Sequence, residues 1–147
     1  MRYVNYRKIY FKMRILFLGD IVGRSGCLAI KNNLPKIIDK KKIDFVIANG
    51  ENAADEGVGI TETISKQLYD CGIHVITTGN HVWDQKETAS YIETEARLLR
   101  PLNLPVNSPG KGFGVYTSLK GFKIGVLNLM GNIFMKKCDD VFIVTNN

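Results

Sequence analysis

The chain alternates between two hydrophobic rhythms. Arg14 to Gly19, Ile43 to Ala48 and Ile73 to Ile76 are short runs rich in apolar and β-branched residues, the length of buried parallel strands. Between them, apolar residues recur at helical spacing. The stretch from about Gly26 to Lys41 reads as a helix with Leu28, Leu34, Ile37 and Ile38 as its stripe, and Pro35 is expected to kink or divide it. Thr61 to Cys71 reads as a second helix, with Thr61 as N-cap, Ile64 and Leu68 on one face and Gly72 closing it. A short helix is expected over residues 85–93. Pro101, Pro105 and Pro109 then punctuate an extended crossing segment. Phe113 to Ser118 and Phe122 to Leu129 flank Leu119-Lys120-Gly121 as a hairpin. Strands alternating with helices, followed by a hairpin, predict an α/β fold in which a mixed sheet carries helices on its outer face.

Composition narrows the class. A chain of 147 residues, 45% of them hydrophobic, suits one domain with a real core. No apolar run approaches the roughly 18 residues of a membrane span, and no signal-type apolar segment follows the basic start, so a cytoplasmic protein is expected. Of the net charge of +6, four units come from Arg2, Arg7, Lys8 and Lys12. The rest of the chain is nearly balanced, and it lacks the interleaved basic and aromatic residues of an RNA-binding module, so a nucleic-acid partner is not expected. Met13 opens the first strand like a natural start. Residues 1–12 therefore read as a basic, disordered extension and residues 13–147 as the domain. Cys27, Cys71 and Cys138 are far apart with no CxxC pair, which argues against a disulfide framework or a zinc ribbon.

The chemistry gathers where the strands stop. The first run ends in Gly19-Asp20, the second in Asn49-Gly50-Glu51-Asn52, and the third in Thr78-Gly79-Asn80-His81. With parallel strands and right-handed crossovers, these ends share one edge of the sheet, where open α/β folds place their sites. Two carboxylates, two amides and an imidazole would converge there. Such a cluster calls for a cation, because bare carboxylates repel one another. Gly19, Gly50 and Gly79 leave room for backbone to approach a small ligand. His74, inside the third run, reads instead as a satisfied core or edge histidine.

Leu18-Gly19-Asp20-Ile21-Val22-Gly23, Ala48-Asn49-Gly50-Glu51-Asn52-Ala53-Ala54 and Thr78-Gly79-Asn80-His81-Val82-Trp83-Asp84 resemble the first three motifs of calcineurin-like metallophosphoesterases. Within that superfamily they are similar to the bacterial YmdB-like 2′,3′-cyclic-nucleotide 2′-phosphodiesterases, over roughly residues 13–140. The Gly-Glu-Asn at 50–52 stands where most of the superfamily has an aspartate. The resemblance implies the N-terminal half of an αββα sandwich and two divalent metal ions, iron or manganese before magnesium. It implies that Asp20 holds the first metal, that Glu51 bridges both, and that Asn52 and Asn80 serve the second. His81 would protonate the leaving 2′-oxygen of a cyclic nucleotide or related phosphodiester, leaving a 3′-phosphate.

The same resemblance implies a shortfall. The family's remaining ligands are histidines of its second half, and this chain has only His74 and His81. Asp140 to Asn147 also departs from the expected pattern. The chain therefore reads as a first half whose oxygen donors, Asp20, Glu51, Asn52 and Asn80, form an incomplete site. The alternative is a non-catalytic product or an assembly module, as a homo-oligomer or with a complementing second-half chain. Half a sandwich is also expected to leave an apolar sheet face uncovered, formed by Phe17, Phe45, Val46, Ile47, Val75, Ile76, Val126 and Leu127.

Overall fold

A computed structural model describes residues 12–146. Apart from Lys12, the basic extension lies outside the described residues. The elements in order are β1 (Ile15–Val22), α1 (Gly23–Lys41), β2 (Phe45–Asn52), α2 (Glu62–Asp70), β3 (Val75–Thr77), α3 (Thr88–Thr94), β4 (Leu98–Leu99), β5 (Phe113–Thr117), β6 (Lys123–Leu127) and α4 (Val141–Thr145). β1 to β4 form one parallel sheet in sequential order, and β5 and β6 form a separate antiparallel pair. The Leu99–Lys111 bridge links the two sheets.

Strand alternation explains the layers. In β1 and β2, Leu16 pairs with Val46 and Leu18 with Ala48, so their side chains share the face that packs under the helices. Ile15 pairs with Phe45 and Phe17 with Ile47, which places these four on the opposite face. The hairpin covers part of that second face. Ile124 and Val126 pack there with Phe45, Val75 and Leu99, and Tyr116 lies against the cluster. Burying a side chain such as Phe45 or Val75 contributes about 1.5–3 kcal/mol. Of the eight residues expected on an uncovered face, only Phe17, at 61% exposure, and Leu127, at 44%, are exposed. Phe45, Val46, Val75, Ile76 and Val126 are buried and Ile47 is half-buried. Val46 and Ile76 point to the helical side, whereas Phe45, Val75 and Val126 are sealed between sheet and hairpin.

Local chemistry sets the helices. Thr61 caps α2 by accepting the Ile64 N–H at 3.2 Å, and Gly72 follows its end at a φ of +102° that favours glycine. Pro35 does not divide α1, which runs through it to Lys41. The buried stripe of α1 is also shifted from the expected one. Leu34 is buried while Cys27, Ile30 and Ile38 pack beside it, but Leu28 and Ile37 are exposed at 47% and 41%. The true spacing follows one helical face, and the adjacent pair Ile37-Ile38 cannot both lie on it. α3 begins at Thr88, later than expected, because residues 80–87 are taken up by turns. No helix among the described residues is long and apolar enough to cross a membrane.

Candidate functional site

β1 and β2 each extend further than their apolar runs. Asp20 lies inside β1, and the whole Asn49-Gly50-Glu51-Asn52 segment lies inside β2. Their polar side chains therefore hang from rigid strand backbone at the C-terminal end of the sheet, not from a loop. The ladder between them is irregular, with register shifts between Leu18 and Asp20 and again between Asp20 and Val22. Residues that simple pairing would offset are thereby brought side by side.

Asn52 Nδ2 donates to Asp20 Oδ2 at 2.8 Å, joining the ends of β1 and β2. Asn52 Oδ1 is buried and has no partner among the described residues. A carbonyl oxygen oriented by its own amide and left unsatisfied is a donor awaiting a ligand. Glu51 is held from two directions. Asn49 Oδ1 accepts the Glu51 N–H at 3.0 Å, Asn49 Nδ2 donates to Oε1 at 3.3 Å, and the His81 backbone N–H donates to Oε2 at 3.3 Å. The last bond ties the end of β2 to the turn after β3. Gly79 makes this approach possible, since a Cβ there would lie 2.6 Å from Glu51 Oε1 and 2.8 Å from its Cδ. Gly19 needs no such explanation, because a Cβ would meet nothing within 4 Å.

His81 Nδ1 and Asp84 Oδ2 are 2.5 Å apart. An ionised carboxylate only accepts, so Nδ1 carries the proton in this pair and Nε2 is the nitrogen left for chemistry. Asn80 is half-buried between Gly79 and His81, at the head of the same turn. The structure thus brings Asp20, Asn52, Glu51 and His81 into one chain of contacts, with Asn80 adjoining. Among the described residues, no three His, Cys, Asp or Glu side chains come together as a metal site on their own. The donor set fits a share of a hard-cation site, two carboxylates and two amides, without nitrogen ligands.

Sequence reasoning missed the supports. Asp84 and Asn49 lay within the motifs but had no role there; the i, i+3 spacing of His81 and Asp84 in a turn was the available signal. Asn128 is buried and donates to the carbonyls of Thr78 and Leu99 at 2.8 and 3.0 Å, clamping the end of β3 that launches Gly79-Asn80-His81. Arg100 is buried too, and its guanidinium serves the carbonyls of Pro109, Pro101 and Leu102. Burial without a facing carboxylate lowers its pKa. Nothing in the local sequence separates these from ordinary polar surface residues.

His74 lies outside this cluster, as expected. Its Nδ1 accepts the Val46 N–H at 3.1 Å while its own N–H donates to the Val46 carbonyl at 2.9 Å. Burial pushes its pKa down. The three cysteines are free thiols, and burial raises the pKa of Cys27 and Cys71. A groove of about 540 Å³ between α1 and α2, lined by both thiols, does not touch the strand ends. Chemistry, not volume, marks the candidate site.

Comparison with known proteins gives the same ancestry. The chain is 45% identical over 131 residues to a 2′,3′-cyclic-nucleotide 2′-phosphodiesterase of Bacillus subtilis, covering 89% of this chain and 49% of that protein. A hypothetical protein from Thermus thermophilus superposes with a TM-score of 0.84 at 40% identity, over 91% of this chain and 51% of that one. A phosphatase from Mycoplasma pneumoniae superposes with a TM-score of 0.81 at 34% identity, over 91% and 49%. The chain therefore spans about half the length of the relatives it matches. The family match covers residues 16–147 and so includes the last segment, which had looked divergent. On that match, the chain belongs to the YmdB-like protein family.

Proposed function

We propose that this chain carries the first-half share of a dimetal phosphodiesterase site acting on 2′,3′-cyclic nucleotides or closely related phosphodiesters. The observation that supports it is the hydrogen-bonded run from Asp20 through Asn52, and from Glu51 to the His81 backbone, across three strand ends. Asp20, Glu51, Asn52 and Asn80 would hold the cations, with Glu51 shared between them. When bound, two divalent cations neutralise the phosphodiester's charge and activate water as the nucleophile. Manganese or iron suits the completed donor set, and magnesium suits the oxygen donors alone.

The chain's own residues do the rest. Asp84 fixes the His81 ring through Nδ1, and Nε2 delivers a proton to the departing 2′-oxygen. A positioned acid of this kind contributes about 10²–10⁴-fold in rate. Asn49 and Gly79 set the height of the Glu51 carboxylate, and Asn128 fixes the turn bearing Asn80 and His81. The oxygen-only donor set leaves the cations loosely held, and each 1.36 kcal/mol lost from the barrier's stabilisation is tenfold in rate.

The test is hydrolysis of a 2′,3′-cyclic nucleotide with added Mn²⁺ or Fe²⁺. We expect turnover near background for the 147-residue chain alone, and recovery when the second half of the Bacillus subtilis relative is supplied. Robust turnover by the chain alone, abolished by His81→Ala, would overturn the half-site reading.

A further inference from the structure

We propose that the apolar strip of Ile15 and Phe17 on β1, with the outer face of the hairpin, is a docking surface. Its occupant is a β-strand-forming polypeptide of the kind that makes up the second half of the relatives. This inference rests on the apolar faces and deepens the reading above by naming the partner of the site.

Strand alternation defines the surface. Ile15 and Phe17 lie in register with Phe45 and Ile47, on the face the hairpin covers elsewhere. The hairpin's buried residues pack on β2, β3 and β4 and stop there, so Ile15 stays 47% and Phe17 61% exposed. On the hairpin, Gly114 and Tyr116 alternate with Phe113 and Val115, and Phe113 pairs with Leu127. The second set points away from the sheet, with Phe113 49%, Val115 59% and Leu127 44% exposed. One layer is therefore unfinished above β1, and the hairpin layer has no cover of its own. Sheets bury both apolar faces in stable two- and three-layer domains.

Backbone and length choose the occupant. Among the described residues β1 pairs only with β2, so its outer ladder of N–H and C=O groups can accept an added strand. The relatives carry about as much chain again beyond the matched part, enough for both missing layers. Phe17 and Asp20 are three strand residues apart, roughly 10 Å. A segment seated on Phe17 thus runs to the very edge where the strand-end donors lie.

The experiment titrates the full 147-residue chain with the separately expressed second half of the Bacillus subtilis relative, without metal, by calorimetry and sedimentation. We expect a 1:1 complex. Phe17→Asp and Val115→Asp should each weaken it at least tenfold, and Leu119→Asp, at the 90%-exposed hairpin turn, should not. Circular dichroism of each variant checks the fold, and co-purification of co-expressed halves reads the same contrast if the isolated chain aggregates. The proposal is overturned by a folded chain that forms no complex, or by a complex insensitive to both substitutions. A homodimer broken by Phe17→Asp would give the face to a second copy and overturn it equally. So would binding gained only after residues 1–12 are removed. Mn²⁺ affinity, followed separately, distinguishes the two readings: a complex that forms without tightening Mn²⁺ upholds the surface and defeats the dimetal site instead.

Discussion

Asn52 donates one amide hydrogen to Asp20 at 2.8 Å while its carbonyl oxygen stays buried and unpartnered. A buried carbonyl without a partner costs about 1–3 kcal/mol, so this arrangement is a strained resting state relieved by a cation. Asp20→Asn and Asn52→Leu should each weaken Mn²⁺ binding to the chain by tenfold or more, measured by electron paramagnetic resonance. Asn52→Leu should also leave the fold intact or slightly more stable. Unchanged Mn²⁺ affinity in both variants would remove these residues from the site.

Gly79 and Gly19 make a matched pair. Adding a methyl at 79 drives it into the Glu51 carboxylate, whereas at 19 it meets open space. Gly79→Ala should lower stability by about 1–3 kcal/mol, and Gly19→Ala should be neutral or mildly stabilising. Urea denaturation of both variants makes the comparison, and equal midpoints would contradict the close approach.

Asn103 is fully buried and forms three bonds: it donates to the carbonyls of Met130 and Asp139 and accepts the Met130 N–H. Asn103→Ala orphans all three partners and should cost about 2–3 kcal/mol. The effect should appear as early hydrogen exchange around Met130 before the parallel sheet opens. Protection there equal to wild type would show that the segment has another anchor.

His74 offers a pH test. Its pKa is depressed by burial, and its Nδ1 must stay unprotonated to accept from Val46. Below the unfolded value of about 6.5, the unfolded chain binds a proton that the fold refuses. The stabilisation is therefore complete above that value and is lost as pH falls toward the depressed one. Denaturation midpoints should drop between pH 7.5 and 5.5, and His74→Phe should flatten that slope while lowering stability throughout. A slope unchanged by the substitution would assign it to other groups.

Much of this molecule was legible from its residues alone. Strand runs, the Thr61 cap, the hairpin and the placing of Asp20, Glu51-Asn52 and Asn80-His81 at strand ends all depend on local periodicity and turn chemistry. Those signals need only a few neighbours along the chain to act. What required tertiary structure was every decision between faces and between distant partners. Leu28 and Ile37 are apolar but exposed, because α1 is rotated by what it packs against. β4 is two residues long and exists only because Ile76 and Thr77 supply its ladder. The hairpin could be read as a hairpin, yet only the fold laid it over β2 to β4 and left Phe17 bare. Asn128 and Arg100 gain their roles from carbonyls that surround them in the fold. Hydrogen bonds between residues about thirty or fifty positions apart leave no mark in local pattern, since the chain must fold before the groups they satisfy are buried together.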